Sequence, residues 1–314
     1  MAPHPIDAAA GRTRSDPTGH PARQSAAPGH AMDALCDAIH KAGTPACVGV
    51  DPVLESLPAS VVAGQPGPVA AIVEFTYSVL AGAAGAVPAV KFQAACFERY
   101  GHEGYAALEQ AVDEARRLGL YVILDAKRGD IGTTSEHYAA SVVRMGAQAI
   151  TVNGYLGPSG VKPFVEAGLA VFVLVRTSNA DSDLLQAARL ADGRTVAQVM
   201  AEQVSHLGAG RVGTGGLSQV GAVVGATKSA EAQMLRAAMP DQMFLVPGYG
   251  AQGGTAADVK ALVRPGAASM GAAGVIVNAS RSVIYAGAAE PDWRVRMHDA
   301  ALAFAKDVAS ILRS

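Results

Sequence analysis

Two acids surround a lysine at the point where an apolar run of the sequence ends. Asp125, Lys127 and Asp130 follow the run 121–124. If that run is a β-strand, its period of two sends Asp125 and Lys127 to the same face, about 7 Å apart. Neighbouring carboxylates favour the charged form of a lysine. The segment therefore predicts a fixed cation that can deliver a proton, rather than a free amine.

Other apolar runs also end in polar or charged residues. These residues are Asp51, Lys91, Asn153, Arg176 and Ser178. The chain has seven lysines among 314 residues, yet Lys91 and Lys127 both occupy such positions. One charge at a strand end is usually a structural ion pair or a solvated loop residue. Charges at several successive strand ends predict a shared cavity in which lysines and aspartates alternate.

The apolar runs number eight and alternate with stretches of helical character. They lie at 46–50, 87–92, 121–124, 149–152, 170–175, 221–225, 243–246 and 274–277. Helices are predicted at 32–42, 105–118, 196–207, 230–239, 256–263 and 292–312. The runs are mostly continuous, as in strands buried on both faces. The pattern predicts an α/β fold, a closed (β/α)8 TIM barrel with an N-terminal helix, whose chemistry lies at the C-terminal ends of the strands.

The loops after the last two predicted strands are where such barrels commonly bind phosphate. The first, 247–254, holds several glycines, which let backbone N–H groups approach an anion closely. The second holds Arg281, whose guanidinium can grip a phosphate, between Ser280 and Ser282, either of which can cap a helix. Together the two loops predict a phosphate site.

Two stretches fall outside the regular alternation. Residues 1–28 lack apolar periodicity and the apolar core of a secretory signal, so we interpret them as a disordered tail, with a transit peptide as the alternative. Residues 29–314 then form a single barrel domain. The segment 181–218 is longer than a usual connection between strand and helix, which predicts an extra helix or loop over the barrel mouth.

The composition argues against several classes of protein. A net charge of -2 and a pI near 6.4 give no long-range attraction for nucleic acid or an anionic membrane. No apolar run reaches the ~18 residues that a membrane span needs. Three cysteines without CxxC spacing and scattered histidines indicate neither disulfides nor a metal site, so we predict no metal and a cytoplasmic location.

One family shares this set of residues. The pattern Asp125-x-Lys127-x-x-Asp130-Ile131-x-x-Thr134, with Asp51, Lys91, the glycine-rich loop and Arg281, resembles orotidine 5′-phosphate decarboxylase over residues 32–311. The resemblance is to the longer bacterial subfamily, type 2. It implies decarboxylation of orotidine 5′-monophosphate to uridine 5′-monophosphate and carbon dioxide, in de novo pyrimidine biosynthesis, without a cofactor.

The resemblance also implies a role for each residue of the charged array. Lys127 corresponds to the proton donor to C6 of the pyrimidine after carbon dioxide leaves, and Lys91, Asp125 and Asp130 complete the array. In the family, the residues that match Asp130 and Thr134 reach into the site of the other subunit. The resemblance therefore implies a homodimer.

Substrate contacts follow from the same resemblance. Asp51 matches the ligand of the ribose hydroxyls, and Ser178 matches the serine that reads the pyrimidine edge. Gln252 and Arg281 correspond to the phosphate grip, with Asn153 as a neighbour of the site. The long segment 181–218 and the short loop around Gln252 depart from compact members of the family.

Three alternatives use the same kind of cavity. A Schiff-base aldolase needs a deprotonated lysine, which flanking carboxylates oppose. A decarboxylase of keto sugar phosphates typically uses magnesium, so its activity would be lost in EDTA. A sensor that only binds nucleotides would not need a full set of charged residues.

Overall fold

The computed structural model describes residues 29–250 and 253–313. Eight parallel strands follow one another around a closed barrel, in which β8 pairs with β1. The strands are β1 Ala46–Val50, β2 Ala89–Gln93, β3 Tyr121–Arg128, β4 Ala149–Val152, β5 Ala170–Arg176, β6 Val220–Val224, β7 Phe244–Val246 and β8 Val275–Ala279. The predicted (β/α)8 barrel is confirmed. The predicted disordered tail, 1–28, lies outside the described residues, and the extent of a single domain over 29–314 stays a prediction.

Helices surround the barrel. They are α1 Ala31–Ala42, α2 Ala59–Ala63, α3 Pro68–Ala83, α4 Ala94–Glu98, α5 Gly101–Arg117, α6 Gly132–Met145, α7 Pro158–Glu166, α8 Asp183–Gln186, α9 Val196–Gly208, α10 Ala232–Ala238, α11 Ala256–Leu262, α12 Arg281–Ile284 and α13 Trp293–Arg313. Short 3-10 segments lie at Leu54–Ser56, Gly154–Leu156, Ala180–Ser182 and Ala226–Glu231. The six helices predicted from sequence are all present, with ends that differ by up to four residues. Within the described part of the chain, no helix is long and apolar enough to cross a membrane.

Strand β3 is longer than its apolar run. The run ends at Leu124, but the strand continues to Arg128. Its pairing with β4 changes register between Leu124 and Arg128, and Lys127 has a φ of 47°. The predicted end of this strand was wrong because its charged residues stay in the sheet, where a bulge accommodates them.

Helix α1 closes the N-terminal end of the barrel. Its residues Met32, Leu35 and Ile39 pack in one cluster with side chains of the barrel interior, such as Ile123 and Phe172. Since apolar side chains fill this half of the interior, only the C-terminal half is left for polar groups. The barrel thus confines its chemistry to one end.

The segment 181–218 contains the extra helix that its length predicts. Helix α8 and a turn bridged between Arg189 and Thr195 precede α9. The residues after α9 lie at the opposite end of the barrel, where Asp33 of α1 accepts hydrogen bonds from the backbone N–H groups of Thr214 and Gly215. Only the first part of the segment is therefore near the barrel mouth.

A buried arginine ties together the N-terminal ends of β7 and β8. The guanidinium of Arg236 donates all five of its N–H groups to backbone carbonyls, at 2.7–3.1 Å. The acceptors are the carbonyl oxygens of Met239, Gln242, Leu262 and Gly274. Its Cζ also lies 3.6 Å from the centroid of the Phe244 ring. One side chain therefore satisfies four carbonyls in the two connections that lead into β7 and β8.

We expect Arg236→Met to lower the free energy of unfolding by about 3 kcal/mol, because four buried carbonyls would lose their donor. Urea unfolding followed by the fluorescence of Trp293 measures the change. The matched control is Arg296→Met, which removes an exposed ion pair with Asp292 and should leave the unfolding midpoint close to that of the wild type. Equal effects of the two substitutions would contradict the role given to Arg236.

Candidate active site

A cavity of about 420 Å³ opens at the C-terminal ends of the strands. The residues predicted from sequence that border it are Asp51, Lys91, Asp125, Lys127, Ser178 and Arg281. They come from β2, β3 and the loops that follow β1, β5 and β8. The barrel thus brings together six residues that are distant in sequence. A second cavity, of about 320 Å³, lies outside the barrel beside α5 and α6 and contains no lysine.

Asp125 is the centre of the charged array. Its Oδ2 lies 2.6 Å from Nζ of Lys91, and its Oδ1 lies 2.7 Å from Nζ of Lys127. Nζ of Lys91 is also 4.0 Å from Oδ1 of Asp51. Asp125 and Lys127 were predicted from the period of two to lie together on one face, and their contact at 2.7 Å confirms it.

Because Lys91 and Asp125 are buried, each of the two charges is stabilised by the other. The side chains of Lys91 and Asp125 are 5% and 9% exposed. Burial raises the pKa of Asp125, but the charges of Lys91 and Lys127 outweigh it and hold the pKa well below its usual range. Burial lowers the pKa of Lys91, but the carboxylates of Asp125 and Asp51 raise it above its usual value. Asp125 and Lys91 are therefore both charged at neutral pH.

Local backbone features make room for this array. Gly49 of β1 pairs with Lys91 of β2, and a Cβ at position 49 would lie 1.9 Å from Oγ of Ser280. Any side chain at that position would therefore collide with the neighbouring strand end. On β3, the bulge and the positive φ of Lys127 leave its side chain 46% exposed, in contrast to Lys91. Lys91 is therefore buried inside the barrel, whereas Lys127 faces its open C-terminal end.

The structure describes some, but not all, of the residues that were predicted to bind phosphate. Arg281 and the backbone around Gly248 border the cavity, and Gly248 has a φ of 91°, in the region that favours glycine. Gln252 lies outside the described residues. Ser280 occupies the predicted N-cap position of α12, but its side chain makes no capping hydrogen bond. Its Oγ accepts from Nδ2 of Asn278 at 3.4 Å. Of the two candidate caps, Ser280 is therefore the N-cap residue, but it accepts the hydrogen bonds of the first turn through its backbone carbonyl alone.

Four predicted residues lie elsewhere. Oδ1 of Asp130 accepts from the backbone N–H of Ile131, and within the described residues no ion pair joins Asp130 to a lysine. Thr134 borders the second cavity, and Oδ1 of Asn153 accepts from the backbone N–H of Tyr155.

The fourth residue, Arg176, was predicted to lie at the mouth with the other strand-end charges. Its guanidinium instead donates to Glu231, Asp183 and Ser182, away from the cavity. A change of register between β5 and β6, at Leu174 and Arg176, explains the difference, because a bulge redirects the side chains that follow it.

Several bordering residues were not predicted from sequence. They are Gln93, Thr151, Thr177, Gln186 and Asn278. Gln93 lies two residues after Lys91, so the period of two was a usable signal for it. Thr151 lies near the C-terminal end of the fourth apolar run, where such barrels place their chemistry. Gln186 reaches the cavity from α8, where it bonds to Thr177, and no local pattern indicates that contact. Within the described chain, no group of three or more His, Cys, Asp or Glu residues is arranged to hold a metal ion.

The array predicts how stability depends on pH. The pKa of Asp125 is lowered, so its stabilising contribution is present above the unfolded value of 3.8 and is lost as pH falls. The pKa of Lys91 is raised, so its contribution is present below 10.5 and is lost as pH rises past the folded pKa. Between these limits the wild-type pair should stabilise the fold at a constant level.

We expect Asp125→Asn to lower the free energy of unfolding by about 3 kcal/mol at neutral pH, because two lysines would lose their shared carboxylate. The difference from wild type should shrink toward about pH 10, since the buried Lys91 of the variant can lose its proton more easily. Urea unfolding across this range measures both trends. Asp299→Asn, on the exposed face of α13, is the control, and a loss for Asp125→Asn that is independent of pH would contradict the expected coupling.

Comparison with known proteins identifies relatives over most of the chain. Residues 47–294 match the model of the Orotidine 5′-phosphate decarboxylase / HUMPS family. Orotidine 5′-phosphate decarboxylase of Rhodopirellula baltica is 41% identical over 266 residues, which cover 79% of this chain and 86% of that protein. The same enzyme of Deinococcus radiodurans is 41% identical over 247 residues, which cover 76% and 84%.

A solved structure agrees with these relatives. The structure of Leishmania donovani OMP decarboxylase is 30% identical, with a TM-score of 0.74, and the match covers 91% of this chain and 99% of that one. Sequence and structure thus point to the same relatives. The chain belongs to the orotidine 5′-phosphate decarboxylase / HUMPS family.

Proposed function

We propose that the protein decarboxylates orotidine 5′-monophosphate to uridine 5′-monophosphate and carbon dioxide, in de novo pyrimidine biosynthesis. The observation that carries the proposal is the array of Lys91, Asp125 and Lys127 in one cavity with Arg281. Cations fixed in a partly buried site stabilise negative charge that develops during a reaction. The size of the cavity, about 420 Å³, is within the range of small-molecule sites.

The proposed chemistry uses the protein's own charges. The bond between C6 and the carboxylate breaks, its electron pair remains on C6, and Nζ of Lys127 delivers a proton there. Asp125 orients this ammonium through the contact at 2.7 Å, and Lys91 holds the other carboxylate oxygen. Because these groups are already oriented, little reorganisation is needed as charge develops. No cofactor is required in this mechanism.

The remaining proposed contacts are with the pyrimidine, the ribose and the phosphate of the substrate. Ser178 would bind the pyrimidine edge, and Asp51 would bind the ribose hydroxyls. Asn153, whose side chain bonds within its own loop, would act only as a more distant neighbour of the site. Asp51 borders the cavity with 28% of its side chain exposed, which leaves its carboxylate able to accept from a hydroxyl group of the substrate. Arg281 would grip the phosphate together with Gln252.

We also infer a cytoplasmic homodimer of the type 2 subfamily, in which Asp130 and Thr134 complete the site of the partner subunit. Two observations support the dimer. Asp130 is not part of the array in its own chain, and Ile131, Tyr155 and Leu156 close to it in sequence or space are 62%, 75% and 52% exposed. Apolar exposure of this kind often marks an interface. We expect a nucleotide as the ligand, and neither nucleic acid nor a membrane as a partner.

Another sugar-phosphate decarboxylase or an aldolase on the same barrel remains the alternative. A Schiff-base lysine has to lose its proton, whereas Nζ of Lys127 contacts the carboxylate of Asp125, which is held ionised. That contact favours proton transfer over amine chemistry. A decarboxylase that uses magnesium would depend on added metal.

The proposed function is tested by the ultraviolet absorbance of orotidine 5′-monophosphate incubated with the protein and EDTA. We expect conversion by the wild type and a loss of at least about a thousandfold in kcat for Lys127→Ala, because the fixed cation and the proton are both removed. Lys162→Ala, an exposed position on α7, is the matched control and should retain the wild-type rate.

The other outcomes are equally informative. A folded wild type that leaves the nucleotide unchanged would refute the decarboxylase proposal. Activity that EDTA abolishes would favour a magnesium-dependent decarboxylase. A borohydride-trapped adduct of Lys127 with a sugar phosphate would favour an aldolase.

The shared site is tested by mixing two inactive variants, Lys127→Ala and Asp130→Ala, under conditions that exchange subunits. A hybrid dimer would contain one intact site, with Lys127 from one subunit and Asp130 from the other. Random exchange of equal amounts should therefore restore about a quarter of wild-type activity. If Asp130 acts within its own subunit, every site lacks one residue and no activity returns.

A further inference from the structure

One hydroxyl connects the two central residues of the array. Oγ1 of Thr151, on β4, donates to Oδ1 of Asp125 at 2.7 Å and accepts from the backbone N–H of Lys127 at 3.0 Å. Thr151 is 1% exposed. A threonine hydroxyl has one donor and two acceptor positions, so its donor is fully used in this arrangement. The same atom therefore fixes a carboxylate and a neighbouring segment of backbone.

The irregular pairing of β3 and β4 explains why a side chain is needed here. Leu124 pairs with Ile150, and the next pair joins Arg128 to Val152. Three residues of β3 therefore face Thr151 alone, and the regular ladder of backbone bonds is interrupted. The Thr151 hydroxyl accepts the N–H group of Lys127 in place of a carbonyl of β4.

Lys127 also has an unusual backbone conformation. Its φ of 47° is the only positive value at a non-glycine position in the described chain. Such a conformation persists where the surrounding structure holds it. The bond from the Lys127 N–H to Thr151 is one such restraint, and the contact between its ammonium and Asp125 is another.

We propose that Thr151 is a positioning residue for the decarboxylation. Its hydroxyl keeps Asp125 in the orientation that directs the ammonium of Lys127, and it keeps the Lys127 backbone in the conformation that turns this ammonium toward the cavity. Thr151 acts through these two residues and not on the reacting atoms. The inference rests on the proposed function for its kinetic consequence, whereas the hydrogen bonds themselves do not depend on it.

The test compares Thr151→Val, which replaces the hydroxyl with a methyl group of similar size, with Thr151→Ser, which keeps the hydroxyl. We expect Thr151→Val to lower kcat by about 10- to 100-fold, because small displacements of reacting groups have effects of this size. KM should change by less than about threefold, since the ribose and phosphate contacts are untouched. Thr151→Ser should stay within about threefold of wild type in both constants.

A second measurement is independent of turnover. Amide hydrogen exchange at Lys127 should be faster in Thr151→Val than in wild type, and Thr151→Ser should restore the protection, because only the hydroxyl accepts that N–H group. If wild type does not convert orotidine 5′-monophosphate, the proposed function fails, and the exchange rates still decide whether Thr151 restrains Lys127.

Three results would overturn the inference. They are a wild-type kcat for Thr151→Val, equal losses for the Val and Ser variants, and unchanged exchange at Lys127. If Thr151→Val does not fold, Thr151→Ala removes the same hydroxyl without adding an apolar group, and the same criteria apply to it.

Discussion

The buried carboxylate of Asp125 is the constraint on which the rest of the site depends. A carboxylate with 9% of its side chain exposed would be strongly destabilising if it were alone. Its two oxygens are held by Lys91, Lys127 and Thr151, from three adjacent strands. The buried Lys91 in turn needs this carboxylate, and the more exposed Lys127 is oriented by it. The cluster is therefore stable only as a unit, and the barrel has to close in the correct register before any member is satisfied.

The barrel meets this requirement by separating its two ends. Helix α1 and inward apolar residues fill the N-terminal half of the interior, and Arg236 satisfies the loop carbonyls that enter β7 and β8. The irregular features lie at the other end, in β3 and β5. The closely packed apolar half of the barrel thus supports the polar C-terminal half, which contains the irregular strand ends. Backbone strain at such positions is tolerated at functional sites when the surroundings determine the conformation.

The periodicity of the sequence was enough to predict the fold and the position of the central charged pair. Eight continuous apolar runs predicted the closed barrel, and a period of two predicted that Asp125 and Lys127 share a face. The same rule failed for Arg176 of β5, although Asp125 and Lys127 lie together as it predicted despite the bulge in β3. Strict alternation from Phe172 and Leu174 would send Arg176 into the cavity, yet the register change turns it toward Glu231 and Asp183. The positive φ of Lys127 and its bond to Thr151 likewise depend on how β3 meets β4, which local sequence does not encode.

The unequal exposure of the two lysines bears on why the active form would be a dimer. Lys91 is sealed at 5% exposure, whereas Lys127, the proposed proton donor, is 46% exposed in the single subunit. An ammonium that faces water stabilises a developing carbanion weakly, because the high dielectric screens it. In the proposed homodimer, the substrate in the cavity and Asp130 of the partner subunit would together cover the open side of Lys127. Dimerisation would then strengthen the field at C6 by excluding water, in addition to supplying a fourth charge. A monomer would lack this fourth charge and the partner's part of the cover, and it would be the weaker catalyst even with every residue of its own chain correctly oriented.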